Sequence, residues 1–119
     1  YELGVAPSDG ALVVDPAPML AALMRDLHKG IDRRDMAMRF HRAVADAIVG
    51  MCGRIRDEMG LSTVALSGGV FQNRLLTRLA VESLELRDFD VLLHQQVPCN
   101  DGGVSLGQAV LAAMREEID

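Results

Sequence analysis

Thr63-Val64-Ala65-Leu66-Ser67-Gly68-Gly69-Val70-Phe71-Gln72-Asn73 decides the fold. Four apolar or β-branched residues, a serine and two glycines, then a new helical pattern through Phe71, Leu75, Leu79 and Leu84, give the order strand, turn, helix. Working outward, Asp90-Val91-Leu92-Leu93-His94 reads as a second strand, followed by a loop from Gln95 to Gly103 and a last helix from about Val104 to Glu117. Upstream, Met36, Phe40, Ala43, Ala47, Met51, Ile55 and Met59 recur at three- to four-residue spacing and predict a long helix from Asp32 to Gly60. Ala11 to Val14 predicts a strand, with Asp15 capping a helix whose first turn holds Pro16 and which stops at Gly30. Tyr1 to Gly10 reads as a connection. Strands alternating with helices predict an α/β chain: a small sheet of about three or more strands packed with helices, too thin to close on itself and expected to lean on a further half or on another copy.

Composition narrows the class. Half of the 119 residues are hydrophobic and 24% are charged, the profile of one globular domain, expected to span 1–119. With three Phe, one Tyr and no Trp, the core must be aliphatic, helped by seven Met. The net charge of −5 and the absence of a basic, aromatic-interleaved patch speak against nucleic acid. No apolar run approaches the roughly 18 residues of a membrane span. Cys52 and Cys99 lack zinc-type spacing and read as free thiols of a reducing cytoplasm. The start at Tyr1, without an initiator Met, suggests an excised piece.

Two loops carry chemistry. In Ser67-Gly68-Gly69, paired glycines leave no side chain between backbone and ligand, and the N–H groups of the following helix face an anion or a polar sugar. Asn73, expected one turn into that helix, offers an amide to a ribose or base. The plain alternative is a tight turn with Asn73 on the surface. In Pro98-Cys99-Asn100-Asp101-Gly102-Gly103, a carboxylate beside glycines suits a divalent cation that bridges to phosphate; the alternative is that Asn100 or Asp101 caps the last helix. Both loops follow strands, where open α/β sheets bind ligands.

Elsewhere the bland readings prevail. Beside Phe40, His41 reads either as a polar group near a substrate channel or as a packed histidine with one hydrogen bond. His28 and His94 read as structural, Cys52 as core, Cys99 as a spectator, and Arg33, Arg34, Arg39 and Arg42 as a solvated face.

Val64 to Leu76, Val97 to Gly103, the run Leu106-Gly107-Gln108-Ala109 and Phe40-His41 together resemble the closing segments of the hydrogenase-maturation carbamoyltransferases HypF, over nearly the whole chain. More distantly they are similar to the TsaD family of tRNA threonylcarbamoyl-transfer proteins. The resemblance implies the second, C-terminal lobe of an actin-like ATPase domain. It implies ATP and carbamoyl phosphate as substrates, carbamoyl-adenylate as the activated form, and transfer to the C-terminal Cys thiol of a HypE partner. Carried over by motif, Ser67, Gly68, Gly69, Asn73 and Gly102 would bind nucleotide, and Asp101 would be catalytic and ligate a divalent metal (zinc, iron or magnesium). That metal would be shared with the N-terminal lobe, which supplies the family's paired histidines. The sequence departs at Arg87-Asp88-Phe89-Asp90, where the family's turn is expected to carry a glycine before the phenylalanine. A sugar kinase, a TsaD-type enzyme or a non-catalytic docking module are the rival readings.

Overall fold

The computed structural model describes residues 1–8 and 11–116. Among the described residues, four strands and four helices run in the order β1 (Gly4–Ser8), β2 (Ala11–Asp15), α1 (Ala17–His28), α2 (Arg33–Met59), β3 (Thr63–Leu66), α3 (Arg74–Glu85), β4 (Asp90–Leu93) and α4 (Val104–Glu116). Short 3-10 turns, Gly69–Gln72 and Asp101–Gly103, lead into α3 and α4.

The strands expected at Ala11, Thr63 and Asp90 all form, but they do not share one sheet. β3 and β4 pair in parallel, Thr63 with Asp90 through Leu66 with Leu93. β2 instead pairs antiparallel with β1, in a separate two-stranded sheet. The segment read as a connection therefore contributes a strand; the Asp9-Gly10 part of the expected turn lies outside the described residues. The physical reason is that Gly4 and Pro7 read as breakers, while an edge strand tolerates both, since one side of its backbone faces no ladder.

Local signals set most helix ends. Asp15 Oδ1 accepts the Ala17 N–H (2.9 Å), and Asp32 Oδ1 accepts the Arg34 N–H (2.8 Å), so each carboxylate satisfies a donor that its helix leaves free. Gly60 closes α2 in a left-handed conformation. The last helix ends among the described residues at Glu116, so its expected extension to Glu117 lies outside them.

One cluster holds β3, β4, α2 and α3 together. Ala45 and Val49 on α2 meet Leu76, Ala80 and Leu84 on α3, with Leu66 of β3 and Phe89 beneath. Leu76, Ala80 and Leu84 are spaced four apart and form one stripe. Alanines on both helices leave room for close approach. The stripe predicted on α2 is only partly the buried one. Met36 and Ala43 are buried, but Phe40, Ile55 and Met59 are exposed, and Ala45, Val49 and half-buried Cys52 face α3 instead. A 27-residue helix presents several apolar lines, and only the position of a 12-residue partner selects among them. Burial pushes the Cys52 thiol up, which suits a core residue and not a nucleophile.

The rest of the molecule is open. The radius of gyration is 17.5 Å, against about 13.5 Å for a compact chain of this length. α4 lies against the turn before it and exposes Leu106, Val110, Leu111 and Met114. Leu92 on β4 faces outward and is 52% exposed, so the face of the β3–β4 pair away from the helices is bare. Parallel strands are ordinarily covered on both faces.

The turn that lacks the expected glycine takes a left-handed conformation at a cost. Asp88 sits at φ +60°, in the left-handed region that glycine enters freely. The Phe89 N–H donates to Leu84 O, and Arg56 from α2 stacks over the Phe89 ring (4.2 Å) while donating to Arg87 O. These contacts force the conformation on a residue that resists it mildly. Asp88→Gly is expected to stabilise the chain by about 0.5–1 kcal/mol, read as a raised urea midpoint with unchanged slope.

Candidate functional site

Parallel pairing places the C-terminal ends of β3 and β4 side by side, so their two glycine loops emerge from the same edge. They are tied together there. The Gly68 N–H donates to Cys99 O at 2.6 Å, and a Cβ built on Gly69 would come 4.0 Å from Asn100 Cβ. The two loops are thus in direct contact.

Two glycines are required by geometry. Gly68 adopts φ +104° and ψ 156°, a backbone conformation reserved for glycine. At Gly103 a Cβ would lie 2.7 Å from Pro98 O, closer than any real contact, so the second loop closes only without a side chain at that position. Asn100 Oδ1 accepts the Gly102 N–H (3.0 Å) and caps the turn that leads to α4. The capping alternative therefore belongs to Asn100. Asp101 stays exposed, with its carboxylate at the start of that turn.

Asn73 is not one turn into a helix. The chain makes a 3-10 turn first, and Asn73 is the N-cap of α3, its Oδ1 accepting the N–H groups of Leu75 and Leu76 (3.1 Å each). Phe71 correspondingly precedes the helix it was expected to join. The reason is Gly68: its extended, positive-φ conformation delays the first helical bond, and the Asn side chain then supplies the cap. The Asn73 amide nitrogen lies 2.8 Å from His41 Nε2, and His41 Nδ1 lies 2.7 Å from Ala37 O. His41 is thus half-buried beneath the first loop with both ring nitrogens engaged.

Ser67 and His94 follow the last paired residues of β3 and β4, and Ser67 Oγ lies 2.9 Å from His94 Nε2. The contact gives His94, read from the sequence as structural, a partner at the mouth of the loops. The available signal was register: once the two strands are aligned, Ser67 must stand opposite His94. Ser67, Gly68, Gly69, Gly102 and Asp101 therefore share one edge, with Asn73 and His41 behind the first loop. Among the described residues no group of three or more His, Cys, Asp or Glu gathers to hold a metal ion, Asp101 included.

A family model described as the Kae1-like domain of carbamoyltransferases, second subdomain, matches residues 1–108. The chain belongs to the HypF carbamoyltransferase family. A carbamoyltransferase HypF homolog of Cupriavidus necator is 40% identical over 94 residues, which cover 79% of this chain and 24% of the relative. The carbamoyltransferase HypF of Rhodobacter capsulatus is 36% identical over 106 residues, 87% of this chain and 13% of that protein. Among solved structures, a crystal structure of full-length HypF in a phosphate- and nucleotide-bound form superposes with a TM-score of 0.90 at 42% identity, over 94% of this chain and 15% of that one. The chain therefore spans about a quarter or less of the length of these HypF relatives. Its α/β arrangement, with bare sheet face and bare α4, is that of one lobe of an actin-like domain. Among the described residues no helix is long and apolar enough to cross a membrane.

The close approach at Gly103 gives a direct check. Gly103→Ala must push the Pro98 carbonyl away and is expected to cost about 1–3 kcal/mol in urea denaturation. Gly69→Ala, whose new Cβ meets only ordinary contact, is expected to stay within about 0.5 kcal/mol of the parent.

Proposed function

We propose that this chain forms one wall of the nucleotide pocket of a HypF-type carbamoyltransferase. In that reading the longer protein uses ATP and carbamoyl phosphate, by way of carbamoyl-adenylate, to carbamoylate the C-terminal Cys of a HypE-type partner. The observation that carries it is the bond from Gly68 N–H to Cys99 O, which joins two side-chain-poor loops at the ends of parallel strands. Membership of the family supports it, as does the related full-length HypF, whose crystal structure is of a phosphate- and nucleotide-bound form.

The chemistry of this lobe is binding and orientation. The N–H groups of Gly69 and Val70 open a 3-10 turn and have no partner within it, so they are donors for a phosphate or ribose oxygen. Gly102 adds a surface without a side chain, and the Ser67 hydroxyl, held by His94, adds one more polar contact. Asn73 offers less than its position suggests, because its oxygen is spent on capping and one of its two N–H groups on His41.

A hard divalent cation takes about six oxygen ligands, and Asp101 on this edge belongs, among the described residues, to no group of three or more potential ligands. Asp101 fits such an ion as a single ligand of a shared site whose remaining donors lie in the other lobe. Bound there, the metal would supply charge neutralisation at a phosphate or carbamoyl oxygen. The residues of this chain hold the nucleotide against it.

Gly69→Arg in the full-length protein separates this reading from a docking module. The fold accommodates a side chain there, but an arginine fills the gap between the loops. Binding of a fluorescent adenine nucleotide is expected to weaken at least about a hundredfold, the loss of roughly 2.7 kcal/mol. Affinity equal to that of the parent rejects the pocket.

A further inference from the structure

His41 and Asn73 form a contact whose chemistry is determined at every atom. The N–H groups of Leu75 and Leu76 can only donate, so the Asn73 atom that faces them is its oxygen and the atom that faces His41 is its NH2 group. Ala37 O can only accept, so His41 Nδ1 carries a proton. His41 Nε2 must then be the unprotonated nitrogen that accepts from Asn73. A single chain of donors and acceptors runs from the backbone of α2, through a neutral imidazole and a carboxamide, to the first N–H groups of α3. The amide plane of Asn73 is pinned from both sides: turning it over would present two donors to the helix N-terminus and an oxygen to a lone pair.

We propose that His41 is a positioning residue for the nucleotide loop. It holds the Asn73 carboxamide in the one orientation that caps α3, and the cap holds the end of the Gly69–Gln72 turn. The turn is braced from its other side by Thr77, whose Oγ1 lies 2.8 Å from Phe71 O. Through that path α2, which carries no residue of the loops, fixes where the Gly69 and Val70 N–H groups point. The inference rests on the nucleotide reading proposed above. It differs from placing His41 in a substrate channel, because both ring nitrogens are engaged within the protein and neither is left for a substrate.

Four variants of the full-length carbamoyltransferase test it. His41→Leu keeps bulk and removes the acceptor. His41→Gln restores an acceptor at the reach of Nε2. Asn73→Ser retains a capping oxygen but is too short to touch residue 41. Gly69→Arg reports on the pocket itself. A half-exposed neutral hydrogen bond is worth about 0.5–1 kcal/mol, so His41→Leu is expected to raise the Kd for adenine nucleotide roughly two- to fivefold. The KM for carbamoyl phosphate stays unchanged. His41→Gln returns the nucleotide Kd to the parent value, and in the Asn73→Ser background His41→Leu adds no further loss. The inference is overturned if His41→Leu lowers the melting temperature while the nucleotide Kd stays at the parent value, or if its effect persists undiminished alongside Asn73→Ser. Should Gly69→Arg bind nucleotide as the parent does, the pocket reading falls first and carries this one with it, an outcome distinct from the other two.

Discussion

β3 and β4 run parallel, and a parallel pair cannot be joined by a tight turn; the chain must cross over, and α3 is that crossover. The residues Thr63–Leu66 and Asp90–Leu93 are brought into register by burial: Val64, Leu66 and Val91 turn toward α2 and α3, and a shift of one position would send them to the bare face. From this one pairing follow the adjacency of the two glycine loops, the meeting of Ser67 with His94, and the short bond from Gly68 to Cys99. Without it, the same motifs would be two unrelated turns.

The core that enforces the pairing is small, and it lies on one side. α2 and α3 cover one face of the strands with alanine, valine and leucine, while the opposite face and α4 from Val104 to Arg115 remain uncovered. That asymmetry agrees with a chain that matches about a quarter or less of its relatives' length. It also explains why the site has binding surface but few reactive groups. Among the described residues Asp101 belongs to no group of three or more metal-ligating side chains, Cys52 is a core thiol whose ionisation burial opposes, and His41 and His94 are engaged in hydrogen bonds within the protein. In the proposed reading, one wall of a cleft positions a ligand and the facing wall completes the chemistry.

Strain is confined to the turns that bring the strands and loops together. Gly68 carries a positive φ at no cost, whereas Asp88 carries one at a cost and is compensated by the buried Phe89 beside it and by Arg56 above the ring. Asp88 thus takes at some cost the left-handed conformation that a glycine would enter freely. The loops that would meet the ligand are free of that compromise.

Much of this was legible from residue order. The helix boundaries at Asp32 and Gly60, the strands at Thr63 and Asp90, and the two glycine turns after them follow from capping chemistry and apolar periodicity, which act over a few residues. The family was equally legible, because the loop motifs are specific in combination. Tertiary structure alone decided which line of α2 is buried, since a long helix offers several and its partner selects one. It alone paired Ala11–Asp15 with the segment before it and not with β3 or β4. It placed Asn73 at the cap of α3 with His41 beneath, and Ser67 against His94. The last two contacts join residues 32 and 27 positions apart, and no local propensity reaches that far.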